Sequence, residues 1–595
     1  MKNALLIGTY NHISPSLEPK IFEAIYQNTL RPFLARLNTF PAVRASLYIS
    51  GTALERIESA HPEYCMLLKE MVERKQVEII GGGFANPLFP LIPLTDRLGQ
   101  IEQLTTVLRK TFGKRPRGCW LPLFMWEPHL CSSLQASGVD FTFLPTERFV
   151  AAGLDPASPC MTEDQGKTLM VFPIRTRVSP EQAEPAKGKA LDMGKARFGH
   201  AEYEAIMLDG TDPFGLGPRE DADALYQEFF SRVAALGDTT ETSTPSRYLK
   251  QWKLRQRGYF GSSGDRAVIL KPASVSRLYA KMHYNHNLVN QLRGDKYRKK
   301  LAREEIWRAE DELAFSQSAE SGRARAFAYR SLLEAEKVTR EKGTFLPSFL
   351  PLDYDFDGYE EFLYQGPDLN AYVHRRAAAL VELDLFPLGS NLTETFPPGP
   401  FGNKVFADSF TAGATKTNVS PQPFLEVFEM DSLDRNHRSV AFSWEGEILP
   451  GQSPKHIRLG KRYTFNKNVV KLDIVVKNCG AETVTFTYHS LSDFSRSFRE
   501  GQSGKVFAVD DSGASREITA SMGYYERAKK ILVKDEKGKD CFSVTVDGIR
   551  DISRVQGISP DAPATAPLSL DFASNLKLAP GEDYALGYEF TLLRK

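Results

Sequence analysis

Four short segments carry most of the side chains in the first half of this sequence that could do chemistry. They are Gly8-Thr-Tyr-Asn-His12, Gly81-Gly-Gly-Phe-Ala-Asn-Pro87, Trp120-Leu-Pro-Leu-Phe-Met-Trp126-Glu-Pro128 and Asp209-Gly-Thr-Asp-Pro-Phe-Gly215. Each follows an apolar run, so each reads as a loop leaving the end of a strand. Asn11, His12 and Asn86 offer hydrogen-bonding groups, and Asp209 offers a carboxylate. The third segment is different: Pro122-Leu-Phe-Met-Trp126 is an apolar lip with a single acid, Glu127, behind it. Acid–base chemistry between two carboxylates has little to work with there, and Glu127 reads as a helix-start acid favoured by the dipole. The glycines of the second segment let backbone approach a neighbour closely. No Lys-Ser/Thr follows them, which excludes a phosphate loop.

The elements that must position these residues recur at regular spacing. Ala4–Gly8, Arg44–Ser50, Val77–Gly81, Cys119–Leu121, Phe141–Leu144, Leu169–Ile174 and Ala205–Leu208 read as short buried strands. Between them, Ile21–Leu37 and Asp96–Leu108 show the i, i+3/i+4 spacing of helices with one buried face. Seven strands alternating with helices predict a parallel (β/α)7 barrel over residues 1–260, with its site at the carboxyl ends of the strands. Residues 261–345 are charge-rich with helical period, including Arg303–Glu312 and Ala324–Lys337, and are expected to form a helical domain. Residues 346–595 alternate like half-buried strands, as in Val469–Val476 and Thr483–Tyr488, and predict a C-terminal β-sandwich. The fold class is therefore α/β plus all-β.

The totals limit the partners. In 595 residues, 75 Lys and Arg against 74 Asp and Glu leave a net charge of +1, which argues against a nucleic-acid-coating surface. No apolar run is long enough to span a membrane, and the start reads as a first strand, not an export signal. Cys65, Cys119, Cys131, Cys160, Cys479 and Cys541 are scattered, which points to reduced thiols and a cytoplasmic chain with no cysteine metal site. The loop Asp353-Tyr-Asp-Phe-Asp-Gly358 alternates acids as calcium loops do, but its twelfth position is Tyr364, which excludes an EF-hand. Asp353, Asp355 and Asp357 stay open between a structural calcium site and a hydrogen-bonded turn. No other cofactor is expected.

With these segments in order, the chain resembles glycoside hydrolase family 57, in its 4-α-glucanotransferase and α-amylase branch. Gly8-Thr-Tyr-Asn-His12 stands where that family has His-Asn-His-Gln-Pro, and Gly82–Pro87 with Ile92-Pro93, Asp96-Arg97 and Gln100-Ile-Glu102 matches its second block. Trp120–Pro128 matches the third block and Asp209–Gly215 the fourth. The resemblance implies an α-glucan or another carbohydrate as ligand. His12, Asn11, Asn86, Trp120 and Trp126 are then the substrate-binding candidates, the tryptophans as pyranose stackers or as core.

The departures fall on the chemistry. The family's third block reads Trp-Leu-Thr-Glu-Arg-Val-Trp with its Glu as nucleophile, and Leu123 occupies that place. A retaining glycosidase needs two carboxyls about 5–5.5 Å apart, and a leucine supplies none. The fourth block's first Asp is the acid/base. Asp209 keeps that register if the extra residue is an insertion, and is otherwise an Asp-Gly turn. The family's Cys-Asn-Asp-Ala-Tyr-Trp-His-Gly, which contacts sugar, becomes Asp311-Glu-Leu-Ala-Phe-Ser-Gln-Ser318, so an aromatic wall is missing. The reading is a catalytically degenerate, carbohydrate-binding or regulatory protein. The alternative is an active retaining enzyme using Asp209 and a relocated carboxylate, Glu127 or Glu147. A metal-dependent deacetylase would need linked ligands, and His12, His129 and His200 have no such spacing.

Overall fold

The computed structural model describes residues 2–175, 202–212, 220–251, 256–263, 266–318, 320–340, 345–399, 402–411, 422–448, 454–498, 504–518, 528–547, 552–555 and 567–593. His200 and residues 213–215 of the fourth segment lie outside them. The chain divides into two compact units, Met1–Lys271 with Trp307–Glu320, and Pro272–Ile306 with Ser321–Lys595.

In the first unit the seven expected strands are all present. They are β1 (Asn3–Asn11), β2 (Ala45–Ile49), β3 (Val77–Ile80), β4 (Gly118–Cys119), β5 (Phe141–Pro145), β7 (Lys167–Ile174) and β8 (Tyr203–Asp209). Two more join them, the hairpin strand β6 (Cys160–Asp164) and β9 (Thr240–Ser243). One sheet runs β3-β2-β1-β8 with parallel pairing throughout. The second runs β4-β5-β7-β6, with only the β6 hairpin antiparallel. Isolated parallel bridges connect Gly81 with Cys119 and Arg175 with Ile206. The β9 strand pairs with Asn3–Leu6 of β1, while β2 pairs with Gly8–Asn11. Leu5, Ile7, Leu47, Ile49 and Ile80 are all buried at 1% exposure or less, as strands covered on both faces require.

The helices differ from the periodicity at two instructive points. The span Ile21–Leu37 is interrupted by a π-helical turn at Tyr26–Leu30. Pro32, near the start of the following helix, has no N–H to give to the preceding turn, and the wider turn absorbs that missing bond. The helix expected to run through Glu312 stops at Ala309. Beyond it Asp311 caps a 3₁₀ turn, Glu312–Phe315, by accepting the Leu313 N–H at 3.0 Å. Residues 307–320 belong to the first unit because they are bonded into it. Gln100 Nε2 donates to Trp307 O (2.8 Å) and to Glu310 Oε2 (2.7 Å), and Trp307 Nε1 donates to Asp96 Oδ1 (3.2 Å).

The second unit carries antiparallel sheets that share one hydrophobic core, with Phe362, Phe410, Phe442, Tyr463, Val484 and Phe590 in it. One sheet is β10 (Ser348–Leu352), β11 (Glu361–Gln365), β12 (Leu369–His374), β13 (Ala379–Leu385) and β14 (Ser390–Asn391), in chain order. A nine-stranded sheet holds Glu429–Asp434 at one edge and Ser515–Glu517 at the other. Helices Ala273–Gln291 and Ser321–Thr339 pack on each other. The described cysteines are all free thiols, five of them buried. Among the described residues no helix is long and apolar enough to cross a membrane.

A buried charge cluster joins these helices to the first sheet of the unit. Lys281, fully buried, pairs with Asp384 and, at 3.2 Å, with Glu336. Burial alone would lower the Lys281 pKa, but Asp384 and then Glu336 hold it well above the ordinary lysine value. Lys281→Met would leave two buried carboxylates without their cation. We expect a loss of about 3–5 kcal/mol in the second unit, read by urea unfolding.

Candidate functional site

Strands β1 and β8 run side by side with Tyr10 opposite Asp209, so their carboxyl ends deliver Asn11, His12 and Asp209 to one edge of the unit. The Gly210 N–H donates to Tyr10 O at 2.8 Å and extends the pairing by one residue. A Cβ at Gly210 would sit 1.7 Å from Asn11 Oδ1, so only glycine permits this approach. Asn11 is buried, and its Nδ2 donates to Tyr48 O (2.7 Å) and Thr9 Oγ1 (3.1 Å). It fastens β1 to β2 and spends its donors on protein. Asp209 Oδ1 accepts both the N–H (2.9 Å) and the O–H (2.7 Å) of Thr211. Asp209 thus closes a turn on Thr211, and its half-buried carboxylate also lies within electrostatic reach of His12 and Glu312.

His12 is held from both sides. Its Nδ1 lies 3.0 Å from Ser50 Oγ, and its Nε2 lies 3.0 Å from Asp311 Oδ1. Asp311 can only accept when ionised, so Nε2 carries a proton. Ser50 is fixed in turn, capping helix Gly51–Ala60 through the Ala53 N–H. Burial alone would push His12 down. Asp311, by charge and hydrogen bond, together with Glu312 and Asp209, holds it above the ordinary histidine value.

Asn86 closes the far side. It sits at φ 57°, donates from Nδ2 to Glu312 Oε1 (2.8 Å), and accepts the Tyr48 O–H at Oδ1 (2.8 Å). The glycines before it make room, since a Cβ at Gly82 would meet the Tyr48 ring at 2.6 Å. Glu312 Oε2 is enclosed without a hydrogen-bond partner. Desolvation, reinforced by Asp311 and Asp209, pushes the Glu312 carboxyl up to about 7 against the opposing pull of His12 and Asn86. The site thus holds a proton-bearing carboxyl, an imidazole above its ordinary pKa and two further carboxylates. It can donate and accept hydrogen bonds and store one exchangeable proton near neutrality.

The remaining candidates lie elsewhere or face inward. Leu123 is 60% exposed at φ 51°, and Phe124 follows at φ 50°, two left-handed residues in succession on the lip. Such a backbone costs roughly 1–2 kcal/mol per residue for a side-chain-bearing position. Trp120 is buried in an aromatic stack, 4.4 Å from Tyr10, and Trp126 is buried with Nε1 donating to Phe260 O (3.3 Å). Both tryptophans belong to the core in this structure, so neither offers a free stacking face. Glu127 pairs with His129 at 3.2 Å and acts on Arg97. Glu147 lines a cavity of about 690 Å³ with Thr146, Arg175 and Tyr203.

Asp311, Glu312, Ser50 and Tyr48 are the site residues that the sequence reading misses. The segment Asp311–Ser318 enters that reading only for the aromatic residues it lacks, yet it brings two acids to the strand ends. The signal was present: Glu310-Asp-Glu312 is an acidic triplet at the end of a helical pattern, in register with a sugar-contacting block.

The Glu312 carboxyl titrates higher in the folded chain than its ordinary value of 4.5. Its contribution to stability is therefore complete below about pH 4.5 and disappears as pH rises through about 7. Between pH 5 and pH 8 the wild type should lose about 2–3 kcal/mol more than Glu312→Gln in urea unfolding. Parallel profiles for the two proteins would contradict the assignment.

Comparison with known proteins gives the same picture as the motifs. Residues 6–260 match the model of glycosyl hydrolase family 57. A 4-alpha-glucanotransferase of Thermococcus kodakarensis is 29% identical over 314 residues, 51% of this chain and 47% of its own length. An alpha-amylase of Pyrococcus furiosus is 30% identical over 285 residues, 46% of this chain and 44% of its own. The matched stretch is thus about half the length of these relatives. The crystal structure of 4-alpha-glucanotransferase from Thermococcus litoralis shares the fold over 100% of both chains, with a TM-score of 0.76 at 18% identity. Over residues 6–260 this chain carries a glycosyl hydrolase family 57 domain.

Proposed function

We propose that this is a family 57-like protein of α-glucan metabolism that binds carbohydrate without the family's nucleophilic chemistry. The observation that carries the reading is Leu123, a solvent-facing hydrocarbon side chain at the position the resemblance gives to the nucleophile. Glu127, the acid four residues on, lies 3.2 Å from His129 Nδ1 and within electrostatic reach of Arg97. The name of the relatives, 4-alpha-glucanotransferase and alpha-amylase, supports the ligand class. We further infer that the two sheets of the first unit are the arcs of one seven-stranded barrel. The bridges Gly81–Cys119 and Arg175–Ile206 support that closure, with β1, β2, β3, β4, β5, β7 and β8 as its staves. His12, Asp209, Asp311, Asn86 and Glu312 then ring the carboxyl-terminal mouth, where barrels of this kind bind ligands.

One observation favours the second reading, an active enzyme with a relocated acid. Glu312, with its pKa near 7 and Asp209 within electrostatic reach, is a better candidate than Glu127 or Glu147 for a carboxyl that gives up a proton at neutral pH. The two readings separate in one assay. Purified protein incubated with maltooligosaccharides or amylose should yield no product above a boiled control, while the same sugars perturb the Tyr and Trp fluorescence on binding. Product from the wild type that falls by at least ~10³-fold in both Asp209→Asn and Glu312→Gln would establish the enzyme and overturn the binding protein.

A further inference from the structure

The second unit contains a cluster that the carbohydrate reading does not use. Strands β11 and β12 pair with Glu361 directly opposite His374, which sets the two side chains on one face of the sheet. The loop before β11 turns back over that face through Phe356 (φ 65°) and Gly358 (φ 90°). As a result Asp355, Asp357, Glu361 and His374 each bring a ligand-capable atom within 4.8 Å of the other three. Asp353, included in the sequence expectation, is not in this group, and Glu361 and His374 replace it.

Each carboxylate is pinned by one oxygen. Asp355 Oδ1 accepts the Asp357 N–H (3.2 Å), Asp357 Oδ1 accepts the Tyr359 N–H (2.9 Å), and Glu361 Oε2 accepts the Tyr354 N–H (2.6 Å). The second oxygens of Asp355 and Glu361 are left for the shared space, while Asp357 Oδ2 lies 3.1 Å from His374 Nε2. Glu361 is fully buried, yet its Oε1 makes no hydrogen bond. A buried carboxyl oxygen in that state calls for a further partner. His374 does not fill the role, because its Nε2 proton goes to Asp357 Oδ2 (3.1 Å) while Glu361 Oε1 stands 3.0 Å away without an acceptable bond. The nearby arginines are engaged elsewhere. Arg277 Nη1 donates to the carbonyls of Val381 and Asn403, and the Arg376 guanidinium lies 5.5 Å over the Tyr359 ring.

We propose that Asp355, Asp357 and Glu361 form a binding site for a hard divalent cation of the calcium class. Two oxygens on opposite sides of a calcium ion, each about 2.3–2.6 Å from it, stand about 4.6–5.2 Å apart, which is the span of this group. The histidine argues against zinc. Its Nδ1 accepts the Arg376 N–H at 2.7 Å, so the neutral ring keeps its proton on Nε2 and has no lone pair to give there. His374 is instead a positioning residue that orients Asp357. Backbone carbonyls and water complete the six to eight oxygens such an ion takes.

The test uses the full chain stripped with EGTA. Calcium chloride should raise the melting temperature by at least ~3 °C at saturation, and terbium should luminesce through Tyr354 and Tyr359 until calcium displaces it. Asp355→Asn and Asp357→Asn, which alter loop side chains and leave the core intact, should each weaken calcium binding at least tenfold. Glu361→Gln should abolish it. The proposal is overturned if the wild type shows neither calcium-dependent melting nor terbium emission. It is equally overturned if both loop variants bind calcium as the wild type does, or if only zinc binds and His374→Ala removes it.

Discussion

One hydrogen bond, from His12 Nε2 to Asp311 Oδ1, organises the first unit's chemistry. It joins residues 299 positions apart whose side chains are only 7% and 2% exposed. Neither group could stay there alone, since a buried charge without its partner costs several kcal/mol. The pair therefore fixes the turn after Ala309, because Asp311 must leave the helix to meet His12 and then caps Glu312–Phe315 with the same oxygen. Glu312 follows by chain geometry. Desolvated there, and set beside Asp311 and within reach of Asp209, it keeps a proton that an exposed glutamate would lose.

The lip opposite shows the reverse economy. Where the family resemblance places a nucleophilic acid, a leucine projects into solvent from a left-handed backbone. Conformational strain of this kind persists when the surrounding structure imposes it. Here the Phe124 carbonyl accepts the Ser263 O–H (2.8 Å), and Trp126 is bonded to Ser263 and Phe260. The lip has a shape that a short strand followed by a tight turn dictates.

Much of this was legible from residue types. The seven parallel strands lie where apolar β-formers recur, since a strand buried on both faces writes itself as a continuous apolar run. Gly210 and the Gly81–Gly83 run were readable as places of close approach, and the Asp209 turn as an Asp-Gly turn. What periodicity could not give were contacts between segments far apart in the chain. Asp311 and Glu312 looked like the polar end of a helix, because no local pattern reports that His12 stands across from them. The loop at 353–358 was readable as metal-like, yet two of the four clustered residues are strand residues brought opposite each other only by the β11–β12 register. Trp120 and Trp126 show the converse limit: their type fits a sugar platform and a core equally well, and burial alone decides.

A site that had only lost its reaction would be expected to lose charge as well, because each buried ionisable group must be paired or neutralised to be tolerated. This site follows that course only in part. Relative to the family blocks it lacks the acids that the resemblance places at Leu123, Asn86, Pro145, Thr146 and Leu313, yet it has acids at Asp311 and Glu312, tied to His12 and Asn86 by hydrogen bonds of 3.0 and 2.8 Å. Satisfied polar networks hold one geometry, and unsatisfied atoms within them are where a ligand gains most. Asp311 Oδ2 and Glu312 Oε2 are such atoms, enclosed and without partners. The Asp311 oxygen points the recognition toward a hydrogen-bond donor and the protonated Glu312 oxygen toward an acceptor; a hydroxyl group supplies both and a hydrocarbon neither.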